Sequence, residues 1–182
     1  MARLKTCLLS LAILLLSACG GGANEVQLLT GSAPGELART YLAAAMLKQH
    51  GFKVTVEEVR LGQIWQRLWA GKGDASVTVW LPQASAPFVE RFFDRLDDLG
   101  AKDAGLAEEA TELVPSHDKP HTLVRRSLEQ DSPQAVALLK ELHWQPADIE
   151  QIIERWQQSQ DWSLAAETWL AEQQTPLGGQ PR

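Results

Sequence analysis

Gly71-Lys-Gly-Asp-Ala-Ser-Val-Thr-Val-Trp80-Leu-Pro82 reads as a tight turn, a buried strand and an indole delivered at the strand's end. Gly71, Gly73 and Asp74 supply the turn chemistry. Ala75 to Val79 is a short apolar run with β-branched residues, the pattern of a strand covered on both faces. Pro82 lacks a ladder donor and stops the strand. In open α/β sheets, ligands bind at the carboxyl ends of the strands, which is where Trp80 falls. Trp80 is therefore expected to be exposed at the sheet's carboxyl edge. There it either meets a ligand or packs as a rim residue, and the residues alone leave both readings open.

Outward from this stretch, strand and helix patterns alternate, which points to an α/β fold. Val26 to Thr30 is a first strand, followed by the loop Gly31-Ser32-Ala33-Pro34-Gly35 and a helix from Glu36 to His50 that Gly51 caps. Lys53 to Val59 alternates as a second strand, Gly62 to Ala70 is a short helix, and Ser76 to Leu81 is the third strand. Ala86 to Leu96 reads as helical. From Gly100 to Lys119 the pattern weakens into small and acidic residues, with Glu112 to Pro115 a candidate crossing segment and His121 to Arg125 a fourth strand. The last third is helical over Pro133 to Leu142, Ala147 to Gln157 and Ser163 to Gln173. There is no internal repeat, and residues 175–182 read as a disordered tail.

The amino terminus fixes a compartment. Residues 1–18 carry a short basic start (Arg3, Lys5) and an apolar stretch from Cys7 to Leu16 that is too short to span a bilayer, the pattern of a signal peptide. Leu16-Ser17-Ala18-Cys19 matches the bacterial lipoprotein signal, in which the Cys19 thiol takes diacylglycerol before cleavage. Residues 19–24 then form a lipidated, flexible leash to a domain over residues 25–174. Each buried methylene contributes about 0.8 kcal/mol, so two or three acyl chains hold such a chain on a membrane. The expected location is the cell envelope, on a bacterial membrane and facing the periplasm or the exterior.

Cleavage removes two of the 17 basic residues and none of the 23 acidic ones, so the mature charge is more negative than the formal −6 of the whole chain. Such a domain should repel nucleic acid and mildly favour cationic ligands. Cys7 leaves with the signal and Cys19 is lipidated, which leaves no thiol for a disulfide or a metal. His117, Asp118 and His121 have a metal-like spacing, but Pro120 breaks the helix that would align them. His50 reads as a partner of a helix carboxyl end and His143 as an interhelix turn residue. Glu108, Glu109 and Glu112 read as a solvated face. There is no Gly-x-Ser-x-Gly elbow, no phosphate cradle and no paired acid and base, so neither an enzyme nor a cofactor is expected.

Gly31 to Val54, then Gly73-Asp74 with Trp80-Leu-Pro82, resembles the first lobe of the glycine betaine and proline betaine-binding proteins of ABC importers. Glu129-Gln-Asp-Ser-Pro133, Gln145-Pro-Ala-Asp148-Ile and Ala165-Ala-Glu-Thr-Trp169-Leu-Ala-Glu resemble that family's closing helices, which fold back on the first lobe. The resemblance implies a single lobe of a type II periplasmic-binding-protein fold, a mostly parallel sheet flanked by helices. It also implies a quaternary amine as ligand, an ABC permease as partner and Trp80 as one ring of an aromatic cage. Ser32 and Pro82 are the flanking ligand-binding candidates, with Trp65, on the preceding helix, as a second ring. Trp144, Trp156, Trp162 and Trp169 are expected in core or helix contacts.

Two departures bear on function. The family's second lobe is on the order of a hundred residues, and here only Gly100 to His121 stands where it would be inserted. Some relatives also carry a His after this Trp in the pattern W-x-P-x-H, where this chain has Ala84. A micromolar complex needs about 8 kcal/mol and one ring supplies roughly 0.5 to 2. The alternatives are thus a solute receptor with a reduced pocket, or an envelope interaction module derived from that family without solute capture.

Overall fold

The segment that ends in Trp80 becomes the central strand of a five-stranded sheet, because its two apolar faces require cover on both sides. The computed structural model describes residues 24–174 apart from 107–108, 110–114 and 116. Both the signal and Cys19 fall outside the described residues, as do the tail and residues 112–114 of the candidate crossing segment. Strand β1 (Glu25–Thr30) pairs in parallel with β2 (Lys53–Glu58), from Glu25 opposite Lys53 to Thr30 opposite Glu58. On its other side β1 runs parallel to β3 (Ala75–Leu81). Strand β5 (Lys119–Arg125) is antiparallel to β3 and to the edge strand β4 (Leu96–Ala101). Four strands therefore run one way and β5 runs against them, in the order β2-β1-β3-β5-β4.

The helices follow from local signals. Helix α1 (Pro34–Gln49) opens with Pro34, whose fixed φ suits the first helical position, and ends where Gly51 takes φ +86°. Its Ala- and Leu-rich surface is buried nearly all round, as a helix between a sheet and a second helical layer must be. That outer layer is α6 (Pro146–Ser159) and α7 (Trp162–Gln174), with α5 (Pro133–Glu141) beside them. The stacked indoles of Trp156 and Trp162, 4.5 Å apart and 3° from parallel, bridge the turn between α6 and α7. On the opposite face of the sheet lie α2 (Leu61–Trp69) and α3 (Ala86–Phe92).

The expected helix from Ala86 to Leu96 is shorter than its sequence pattern. It ends at Phe92, passes through a tight turn at Phe93–Arg95, and the chain becomes β4 at Leu96. Leu-Asp-Asp-Leu-Gly-Ala has little intrinsic strand preference. The ladder offered by β5 decides its conformation. A short helix α4 (Leu128–Asp131) after β5 was also not expected.

Two apolar cores result. One holds Val26, Leu28, Leu42, Val77, Leu139, Ile152 and Trp169 under α1 and the closing helices. The other holds Leu29, Ile64, Trp65, Leu68, Val79 and Leu123 under α2 and α3. Trp65 is fully buried, 6.2 Å from Phe88 and 6.5 Å from Phe93, and its Nε1 meets no partner. Trp65→Ala should cost about 3–5 kcal/mol of unfolding free energy, the range for truncating a large buried aromatic. Trp65→Phe should cost far less, because it also removes an unsatisfied donor. Urea titrations of the two variants check this.

Candidate functional site

The carboxyl ends of β1 and β3 bring together the loop at Gly31–Ala33, the first turns of α1, and the end of β3 at Trp80. Glu36 lies in the first turn of α1. Its Oε2 accepts from the Ala33 N–H at 3.1 Å, and its Oε1 accepts from the Trp80 indole N–H at 3.3 Å. A side chain at Gly31 would place Cβ 2.0 Å from Glu36 Oε2, so glycine is what lets the carboxylate lie against the loop. Burial pushes the Glu36 carboxyl above its ordinary range, and its two hydrogen bonds offset this only in part.

One turn further along α1 stands Arg39, fully buried. Its Nε and Nη2 donate to Asp103 at 2.7 and 3.1 Å, and its Nη1 and Nη2 donate to Glu109 at 2.6 and 2.9 Å. Its carbon Cζ lies 5.7 Å from the Trp80 ring centroid, within cation–π range. Burial disfavours the guanidinium charge, yet the two carboxylates outweigh it and hold the Arg39 pKa above its ordinary value. The Trp144 indole also donates to Asp103, so the start of α6 is tied to the same cluster.

Trp80 is consequently only 5% exposed, which corrects the expectation of an open indole at the sheet edge. Asp103 and Glu109 pin the chain after β4 onto Arg39, and Gly105 then lies so close that a Cβ there would sit 3.2 Å from the Trp80 ring. Glu109 is likewise no solvated residue, since its side chain is 10% exposed and paired. Sequence reasoning missed Arg39. Its one signal was a charge in the otherwise apolar run Leu37-Ala38-Arg39-Thr40-Tyr41-Leu42.

The other candidates are distributed differently. Ser32 is exposed in the loop before α1, and Pro82 is exposed where β3 ends, so both border the Trp80 edge. Trp65 lies in the core on the opposite face of the sheet and does not meet Trp80. Buried Asp118 accepts from the N–H groups of Gln83 (3.0 and 3.1 Å) and Ala84 (2.7 Å) and so fixes the loop that carries Pro82. His117 reaches only to 3.8 Å from Asp118, while His121 turns to Asp98 at 2.9 Å. His50 places Nδ1 2.9 Å from the Met46 carbonyl at the end of α1, and His143 sits in the turn after α5.

A family model described as the substrate binding domain of the ABC-type glycine betaine transport system matches residues 102–172. The glycine betaine/carnitine transport binding protein GbuC of Listeria monocytogenes is 29% identical over 77 residues, 42% of this chain. That match spans only 26% of the relative's own length. Among solved structures, lactococcal OpuAC in its closed form with glycine betaine has a TM-score of 0.73 at 16% identity, over 83% of this chain and 96% of that one. ProX of Borrelia burgdorferi, a glycine betaine/L-proline-binding protein, scores 0.72 at 15% identity over 81% and 93% of the two chains. A choline-binding protein in complex with choline scores 0.72 at 12% identity over 83% and 89%. Identities this low speak to the fold. By sequence over its carboxyl-terminal part and by fold over its mixed sheet and flanking helices, the chain resembles the substrate-binding proteins of glycine betaine ABC importers.

Proposed function

We propose that the chain is a lipid-anchored solute-binding component of an ABC importer for glycine betaine or related quaternary amines, with a reduced pocket and no catalytic role. It would present its ligand to a permease subunit from the envelope side of a bacterial membrane, held there by acyl chains on Cys19. The observation that carries this reading is the face of Trp80. An indole at the carboxyl ends of β1 and β3 already receives a cation, the Arg39 guanidinium, among the carboxylates Glu36, Asp103 and Glu109. A quaternary ammonium asks for the same surroundings, aromatic faces and negative charge without a hydrogen-bond acceptor aimed at nitrogen. Binding there requires Arg39 to withdraw, with Ser32 and Pro82 at the rim, while Trp65 is enclosed in the core on the other face of the sheet and adds no second ring. This displacement adds to the shortage of rings, so weak affinity is expected.

A second reading has its own support. The near-complete cover of Trp80 favours an envelope interaction module that has given up solute capture. Among the described residues no helix is long and apolar enough to cross a membrane.

Tryptophan emission of the full chain should respond to glycine betaine or choline in the millimolar range, and Trp80→Phe, which keeps most of the packing, should weaken that response several-fold. No response from the parent chain at tens of millimolar ligand would leave the interaction module. The electrostatics add a pH signature. A carboxyl whose folded pKa is raised above about 4.5 stabilises the fold fully below that value and loses the contribution as pH rises through the folded pKa. From about pH 7 to about pH 4 the wild type should therefore gain stability relative to Glu36→Gln, as paired melting curves would show. Cys19→Ser should abolish palmitate labelling, since a hydroxyl does not replace the thiol in acyl transfer. Persistent labelling would end the lipoprotein reading.

A further inference from the structure

On the face of the sheet opposite Trp80, the ends of β3, α3, β4 and β5 leave an open groove of about 510 Å³. Its walls are apolar: Leu81 and Pro82 on one side, Val89 and Phe93 on the other. Three polar side chains reach it, and none is a lysine or arginine. Glu90 is exposed on α3 and has no ion-pair partner among the described residues. Asp98, on β4, has a side chain about a quarter exposed that faces His121 of β5 at 2.9 Å, with the Gly100 N–H fixing its other oxygen at 2.7 Å. The size is that of a small-molecule site, and mostly apolar walls with a few convergent polar groups are how such sites are built.

We infer that this groove is a second binding site, for a small organic cation with an apolar body. Two carboxylates line the groove against one imidazole, and Lys102, the cation that acts on Asp98, is held by the Leu99 and Lys140 carbonyls outside the lining, so the groove keeps a negative field. An inorganic cation is a poor fit. It needs several oxygen ligands converging on one point, and no group of three or more metal-ligating side chains occurs among the described residues. Phe93 supplies an aromatic face for the cation, and Leu81, Pro82 and Val89 supply contact for its methyls or alkyl chain. Asp98 is pre-organised, because burial raises its carboxyl but the bonds from His121 and Gly100 prevail and keep it below the usual range. The site lies across β3 from the Arg39 cluster and does not depend on Trp80 being vacated.

The test is a pair of titrations of the full chain, with choline and with its neutral isostere 3,3-dimethylbutan-1-ol, followed by amide ¹H–¹⁵N shifts. Choline should move the amides of Glu90, Asp98 and His121 in a saturable way, and the alcohol should bind several-fold more weakly. Glu90→Gln and Asp98→Asn should each weaken choline roughly two- to five-fold, the size expected of partly exposed charge pairs. Phe93→Ala should weaken it by a similar or larger factor. Should Phe93→Ala disturb the neighbouring Trp65 core, the two charge variants decide alone. Equal binding of choline and the alcohol, or choline binding unchanged in Glu90→Gln and Asp98→Asn, would overturn the inference. Shifts confined to Glu36, Arg39 and Trp80 would also overturn it while supporting the receptor site on the other face.

Discussion

Arg39 is the constraint on which the functional end of the molecule depends. A single guanidinium with no exposed surface joins α1 to Asp103 and Glu109 through four hydrogen bonds and shares Asp103 with Trp144. It also lies over Trp80. Desolvating such charges is costly, and the planar fork of arginine recovers the cost by bidentate pairing with each carboxylate. Without the guanidinium, two carboxylates would be left in a dry site, and the chain after β4 would lose its ion pairs to α1. The cluster carries three carboxylates for one guanidinium, with Glu36 the third. Burial, with a smaller push from the Glu109 carboxylate, explains why Glu36 holds its proton more tightly than a free carboxyl.

How far the sequence could be read depends on the range of the interactions that decide each element. Strands β1, β2 and β3 and helices α1, α2, α6 and α7 are written in local patterns, and their observed bounds lie within a residue or two of those expected. Strand β4 is not, because Leu96-Asp-Asp-Leu-Gly-Ala is extended only by virtue of β5, some twenty residues on. Trp80 was placed correctly at the end of the central strand, while its burial was not foreseeable. It depends on partners of Arg39 that lie 64 and 70 residues away along the chain. Similar reasoning applies to Glu109, which among acidic neighbours looks solvated and becomes a buried partner once α1 is in place. Trp65 shows the converse, since helical spacing puts it on a buried face but cannot say which side of the sheet that face meets.

The comparisons divide along the same line. The family model covers residues 102–172, which include Asp103, Glu109 and Trp144, while Arg39 and Trp80 lie before it. The fold likeness reaches over most of the chain at low identity. The sheet and its closing helices are thus shared architecture. At their carboxyl edge this chain places an internal cation over the indole and a short stretch of chain between β4 and β5.

The stacked pair of Trp156 and Trp162 has a consequence for observing this protein. Two indoles 4.5 Å apart in nearly parallel planes couple their electronic transitions, so their near-ultraviolet absorption and emission differ from those of an isolated ring. The pair spans the turn between α6 and α7, where Gln160 adopts a left-handed backbone. Its signal therefore reports whether the carboxyl-terminal hairpin is closed. In a chain with seven tryptophans, this gives the hairpin an optical label separate from the indole beneath Arg39, without any residue being added.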